Sequence, residues 1–201
     1  MNINEYEQVK SLNYLEYCDY LQNKYGIGLS DYIHPKSGWR NKKCSRTKEG
    51  LYVHHKYEDH AILLSDRYFA MKNPFEWQKA KNLVYCDYLE HLYLHILICE
   101  NPAEDRNPNE AVGIGGIVNF IVPSLNDFYS GCQSGQPWEQ ICFDKVKADK
   151  DVYLVLLKRA KKSCRKCYGY TDKRLLSSMN EQYGVWSRKN NKKLFKEIKA
   201  L

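Results

Sequence analysis

The chain of 201 residues has no run near the ~18 consecutive apolar residues that a membrane-spanning helix needs. Its opening, MNINEYEQVK, lacks the basic-then-apolar pattern of an export signal. There is no internal repeat and no low-complexity tract. A second Cys-x-x-Cys is also missing. Cys164 and Cys167 form the one such pair, so a structural zinc there would need two further ligands. Without an export signal, the eight cysteines read as buried free thiols rather than a disulfide framework. The natural expectation is a soluble, cytoplasmic protein. It would be one ordinary domain, or a small core with an appended lobe, and its 43% apolar content is enough for a core.

Charge is unevenly spread. From Leu156 to the end there are 14 Lys/Arg against 3 Asp/Glu, while the rest of the chain is net acidic. A second basic stretch runs from Lys36 to Lys48 and includes Arg40 and Arg46. Clustered cations beside aromatic residues suit a polyanion such as nucleic acid. A solvated helix face is the plainer reading of such a run. Trp39, Trp138 and Trp186 read first as core or rim residues, although indole rings also stack on bases.

Apolar spacing predicts an amphipathic helix over residues 4–24, built on Tyr6, Val9, Leu12, Leu15, Cys18 and Leu21, with Gly26 as its stop. Residues 26–50 are rich in breakers and read as irregular. The apolar run Leu51 to Lys56 reads as a strand. A short helix is expected within 60–72 and a longer one over 84–99. The polar stretch 101–110, with two prolines, reads as a linker. Helices are then expected over 113–130, where Pro123 should kink or shorten the run, and over 138–147, 152–162, 175–183 and 189–201.

Four of the six histidines stand in two pairs. His54 and His55 end the expected strand, and His91 and His95 are four apart in the expected helix. Histidines at i and i+4 share one helix face and can hold one metal ion together. A third imidazole from a nearby strand would complete a three-ligand site with an open position, which is the arrangement of a catalytic metal. His34, beside a proline, is expected in solvent, and His60 at the start of a helix.

Val53-His54-His55, Asn82-Leu83-Val84, His91 and His95 together resemble the HNH, or ββα-metal, endonuclease family. The likeness is greatest to its His-His, colicin-type subgroup, and it covers roughly residues 45–98. The Cys-x-x-Cys-His string that many members carry at the helix start is absent, since the corresponding residues are Cys86-Asp87-Tyr88-Leu89-Glu90-His91. The resemblance implies an α+β fold, mainly helical, with a small ββα-metal core. It implies that His54, His91 and His95 hold one divalent metal ion. His55 would be the general base, and Asn82 would fix the turn and the orientation of His55. Magnesium or manganese would be the working ion, and zinc or nickel also suit three imidazoles.

Three segments follow: an N-terminal helix and basic loop over 1–44, a nuclease core over 45–100, and a helical, basic region over 101–201. The expected activity is metal-dependent hydrolysis of double-stranded DNA. Arg40, Arg46, Lys192 and Lys193 would contact the nucleic acid, and symmetric cutting would call for a homodimer. The large C-terminal region suits a sequence-specific enzyme of restriction or mobile-element type. A nonspecific toxin or effector nuclease, and a metal-stabilised nucleic-acid-binding module without catalysis, stand as the alternatives.

Overall fold

The computed structural model describes residues 1–179 and 188–201. The N-terminal helix expected over 4–24 is two helices, α1 (Ile3–Val9) and α2 (Tyr14–Tyr25). Asn13 accepts the Glu16 N–H while the Glu16 side chain accepts the Asn13 N–H, and this capping box opens a new helix. The break shifts the helical phase. Tyr14, Tyr17, Cys18 and Leu21 are buried, whereas Leu15, which the single-helix pattern counted as apolar face, is 58% exposed.

Residues 26–50 form loops and short 3₁₀ turns. Strand β1 (Tyr52–His55) follows and pairs antiparallel with β2 (Leu83–Cys86), placing Tyr52 opposite Cys86 and His55 opposite Leu83. The sequence reading began a helix at Val84, but this segment is the second strand. Four consecutive buried residues carry no alternation to distinguish strand from helix. The chain between the strands holds α3 (Arg67–Lys72), shorter than the span 60–72 and started by the Asp66 cap.

Asp87 separates β2 from α4 (Tyr88–Glu100). Its carboxylate accepts the Glu90 N–H, and the Glu90 side chain accepts the Asp87 N–H. The N-terminal amine of Met1 also pairs with Asp87. Helix α4 is buried on nearly every face, as a helix apolar all round must be. It packs against α2, α8 (Lys150–Ser163) and the run that starts at Ile114.

The stretch 101–110 folds back on residues 59–62. The Asn107 N–H donates to the His60 carbonyl at 3.1 Å, and Glu110 accepts the Ile62 N–H at 2.7 Å. Beyond it come α5 (Ile114–Gly116), a π-turn (Ile117–Ile121) and α6 (Val122–Tyr129). Pro123 lies inside this continuous helical run, directly after the π-turn, so it interrupts the hydrogen-bond ladder without ending the helix. Helix α7 (Pro137–Asp144) precedes α8, and α9 (Arg188–Lys199) ends the chain. The helix expected over 175–183 is replaced at its start by a 3₁₀ turn, Asp172–Leu176, and its last four residues lie outside the described residues.

One apolar cluster runs from Met1 to Ile198 and draws on all three segments, with α4 at its centre. The fold is thus mainly helical with a small two-stranded antiparallel sheet. No helix among the described residues is long and apolar enough to cross a membrane.

Candidate metal centre

Side chains alternate across a strand, so neighbouring residues His54 and His55 leave β1 on opposite faces. His54 faces α4, where its ring lies 5.4 Å from that of His91 and 5.2 Å from that of His95. The 3₁₀ turn Lys56–Asp59 then brings Glu58 back under His54. One ligand atom from each of His54, Glu58, His91 and His95 lies within 4.8 Å of all the others. The Nε2 atoms of His91 and His95 are 3.2 Å apart.

The surrounding hydrogen bonds select tautomers. The Tyr14 hydroxyl has the Lys56 carbonyl at 3.1 Å to donate to, so it accepts from His54 Nε2–H at 2.8 Å. The lone pair of His54 Nδ1 is left facing Glu58 Oε2 at 3.5 Å, with no hydrogen-bond partner. His95 Nδ1–H donates to the Gly113 carbonyl at 3.2 Å, which turns the Nε2 lone pair inward. Holding the far nitrogen of a ligand imidazole in this way is how metal sites orient their first ligands.

Burial pushes the three imidazoles toward the neutral form. His54 is driven down to about 3, His91 falls well below its ordinary value, and His95 is also lowered. For Glu58, burial alone would raise the carboxyl. The imidazoles of His54, His55 and His95 outweigh it and hold the group below the usual carboxylate range. Neutral imidazole lone pairs and one carboxylate, buried and converging, suit a divalent cation of borderline softness. His54 is fully buried behind the other three, and Glu58, His91 and His95 line a cleft of about 220 Å³ with Val53, Ile62 and Phe120.

His55 is fully buried and does not line this cleft. Its Nε2–H donates to Gln78 Oε1 at 3.1 Å, the Gln78 amide nitrogen donates in turn to the Leu64 carbonyl, and the Tyr32 ring packs 4.6 Å away. His55 Nδ1 lies 3.4 Å from Glu58 Oε1, so the ring stands behind Glu58 rather than over the three other imidazoles. Asn82 donates to the Glu76 carbonyl at 2.8 Å and holds the turn before β2, a bond that does not involve the His55 ring.

The basic residues lie elsewhere. Arg46 spends its guanidinium on Glu49 and the Tyr25 carbonyl. Arg40 is exposed, with its guanidinium over the Tyr32 ring. Lys192 and Lys193 are exposed on α9. Trp39 and Trp138 are 63% and 42% exposed, and Trp186 lies outside the described residues. His34 is exposed, and His60 closes a 3₁₀ turn while contacting Asp59 and Asp105. Sequence reasoning missed Glu58 as a donor. Its signal was the string His54-His55-x-x-Glu58, in which a turn just after a strand returns a carboxylate to the strand's last residues.

No protein-family model matches the chain, and neither does any curated protein or solved structure.

Proposed function

We propose that the protein is a divalent-metal-dependent endonuclease of HNH type that hydrolyses phosphodiester bonds of double-stranded DNA. One observation carries the reading: three imidazoles and a carboxylate, from a strand end, the turn after it and the helix packed on it, converge beside an open cleft. His54, His91 and His95 would hold the ion. A divalent ion in such a site supplies positive charge against the extra negative charge of the reacting phosphate.

The chain's own residues supply the remaining work. Glu58 lines the cleft and, with the ion held by the three imidazoles alone, would accept the proton of an attacking water instead of binding the metal. His55 stands behind that carboxylate, with Nδ1 3.4 Å from its opposite oxygen and Nε2 held by Gln78, a place that differs from the direct base implied by the resemblance. The basic α9 face and the Lys36–Lys48 loop supply phosphate contacts that position the duplex.

Plasmid incubated with protein and magnesium or manganese tests this reading. Cleavage to 5′-phosphate and 3′-hydroxyl ends is expected, and His91→Ala should lower it at least about 10²-fold. Glu58→Gln should lower it roughly 10²–10⁴-fold, the usual contribution of a general base. Full activity of Glu58→Gln with loss in His55→Ala would return the base role to His55. No cleavage with any metal that the protein binds would sink the nuclease reading. The noncatalytic binding module would then stand, a reading favoured by the complete burial of His55.

A further inference from the structure

The described residues hold a second convergent donor set, at the opposite end of the ligand helix. Cys99 lies one turn beyond His95 on α4, while Cys164 and Cys167 close α8. The sulfurs of Cys99, Cys164 and Cys167 all lie within 4.8 Å of one another, and all three are free thiols. We propose that these cysteines form a second metal site, for zinc, which staples the C-terminal end of α8 to α4.

The geometry is that of a prepared site. The Cys-x-x-Cys segment is a tight 3₁₀ turn in which the Cys167 N–H donates to the Cys164 carbonyl at 2.9 Å, so both thiols leave the same side. Glu100, next to Cys99, is clamped by Arg159 at 2.7 and 2.8 Å and by the Ser163 hydroxyl at 2.6 Å. These bonds fix the two helices against each other without any ion. Cys164 is fully buried and Cys99 is 9% exposed. The backbone presses in as well: a Cβ on Gly113 would lie 2.9 Å from the Cys99 sulfur.

The chemistry selects the ligand class. Zinc–sulfur bonds of about 2.3 Å in a tetrahedron put sulfurs roughly 3.8 Å apart, within the observed spread. Thiolates are soft donors and choose zinc over magnesium or manganese. The sequence pair Cys164 and Cys167 had no visible partners, and the fold supplies a third from 65 residues earlier. The fourth position is left for water or an added ligand. This site is independent of the histidine centre in donors and in role. It would fix the end of the helix that carries His91 and His95.

Cobalt(II) titration of the reduced, metal-stripped full chain tests the proposal. Thiolate ligands give an intense near-ultraviolet charge-transfer band that imidazole and carboxylate ligands do not. The expected result is such a band, bleached by zinc and, once the histidine centre is removed, saturating at one ion per chain. It should persist in a His91→Ala, His95→Ala double variant and vanish in Cys167→Ser. Chelator should lower the melting temperature of the double variant, a readout that needs no cysteine variant to fold. Absence of the band from the reduced wild-type chain would overturn the site. So would a band that persists at full strength in Cys167→Ser, or a Cys164–Cys167 disulfide that resists mild reductant.

Discussion

Gly116 leaves the space that the His95 ring fills. A Cβ built on Gly116 would collide with His95 Cε1 and lie 2.6 Å from Nδ1. The backbone at Gly116 is ordinary right-handed helix, at φ −61°, so the residue is there for room and not for an unusual conformation. Gly116→Ala should therefore leave the local helix intact, with the usual alanine gain of about 0.5–1 kcal/mol offsetting part of the clash. It should also swing His95 off the Gly113 carbonyl. Divalent-ion affinity is expected to fall roughly 10–100-fold, the range seen when an outer partner of a metal ligand is lost. Calorimetric titration of the variant with nickel or zinc, in a chain whose cysteines are blocked, checks it. Unchanged affinity would show that the ring does not need this position.

Tyr14 joins α2 to the same centre by accepting from His54 Nε2–H. Tyr14→Phe keeps the ring and removes the acceptor, leaving His54 free to take the wrong tautomer. Metal affinity should drop roughly 10–100-fold. Apo stability should drop by about 1–3 kcal/mol, because a buried imidazole N–H loses its partner. Denaturant melts with and without metal separate the two effects. A stability loss with no change in affinity would mean that the hydroxyl serves packing alone.

Glu5 ties α1 to α2, and through Lys24 to α4. Lys24 Nζ contacts Glu5 and lies 2.7 Å from Glu90, and the Tyr20 hydroxyl donates to Glu5 at 3.0 Å. Burial alone would raise the Glu5 carboxyl, but the Lys24 bond and charge win and hold it below its ordinary value. A depressed carboxyl binds fewer protons folded than unfolded. Its stabilisation is therefore complete above the unfolded value near 4.5 and is lost as pH falls through the folded one. Glu5→Gln should cost about 1–2 kcal/mol at pH 7, and the gap from wild type should narrow as pH falls below the unfolded value near 4.5. Urea melts across that range read it directly. A gap that stays constant with pH would show that the ionised form is not what stabilises the fold.

What the sequence revealed follows from how each feature encodes itself. The paired spacing of His91 and His95 is a helix property and survives any packing, so the two rings meet where spacing alone puts them. His54 was legible because a strand delivers one face to its neighbour. The same alternation sends His55 the other way, a consequence that the adjacent letters conceal. Glu58 and the Cys99 partnership were hidden for different reasons. A short 3₁₀ turn has no periodic signature, and contact between α4 and α8 depends on tertiary packing that one sequence does not show. Strand β2 escaped because Leu83–Cys86 is buried on both faces and runs straight into the capped start of α4.

The basic C-terminal helix offers the sharpest test of the DNA reading. Leu194 and Ile198 of α9 are buried in the main core, whereas Lys192, Lys193, Lys196 and Lys199 are exposed. Deleting the helix would strip the core as well as the charge and could not separate the two. Lys192→Ala with Lys193→Ala removes charge alone and should leave the melting temperature within a few degrees. If both lysines contact phosphates, the slope of log affinity for duplex DNA against log salt should flatten by roughly 2, because two fewer counterions are released. Fluorescence anisotropy over a salt series, using a metal-ligand variant to prevent cleavage, measures that slope. An unchanged slope would make the α9 lysines a solvated surface and leave the Lys36–Lys48 loop as the remaining candidate for holding the backbone.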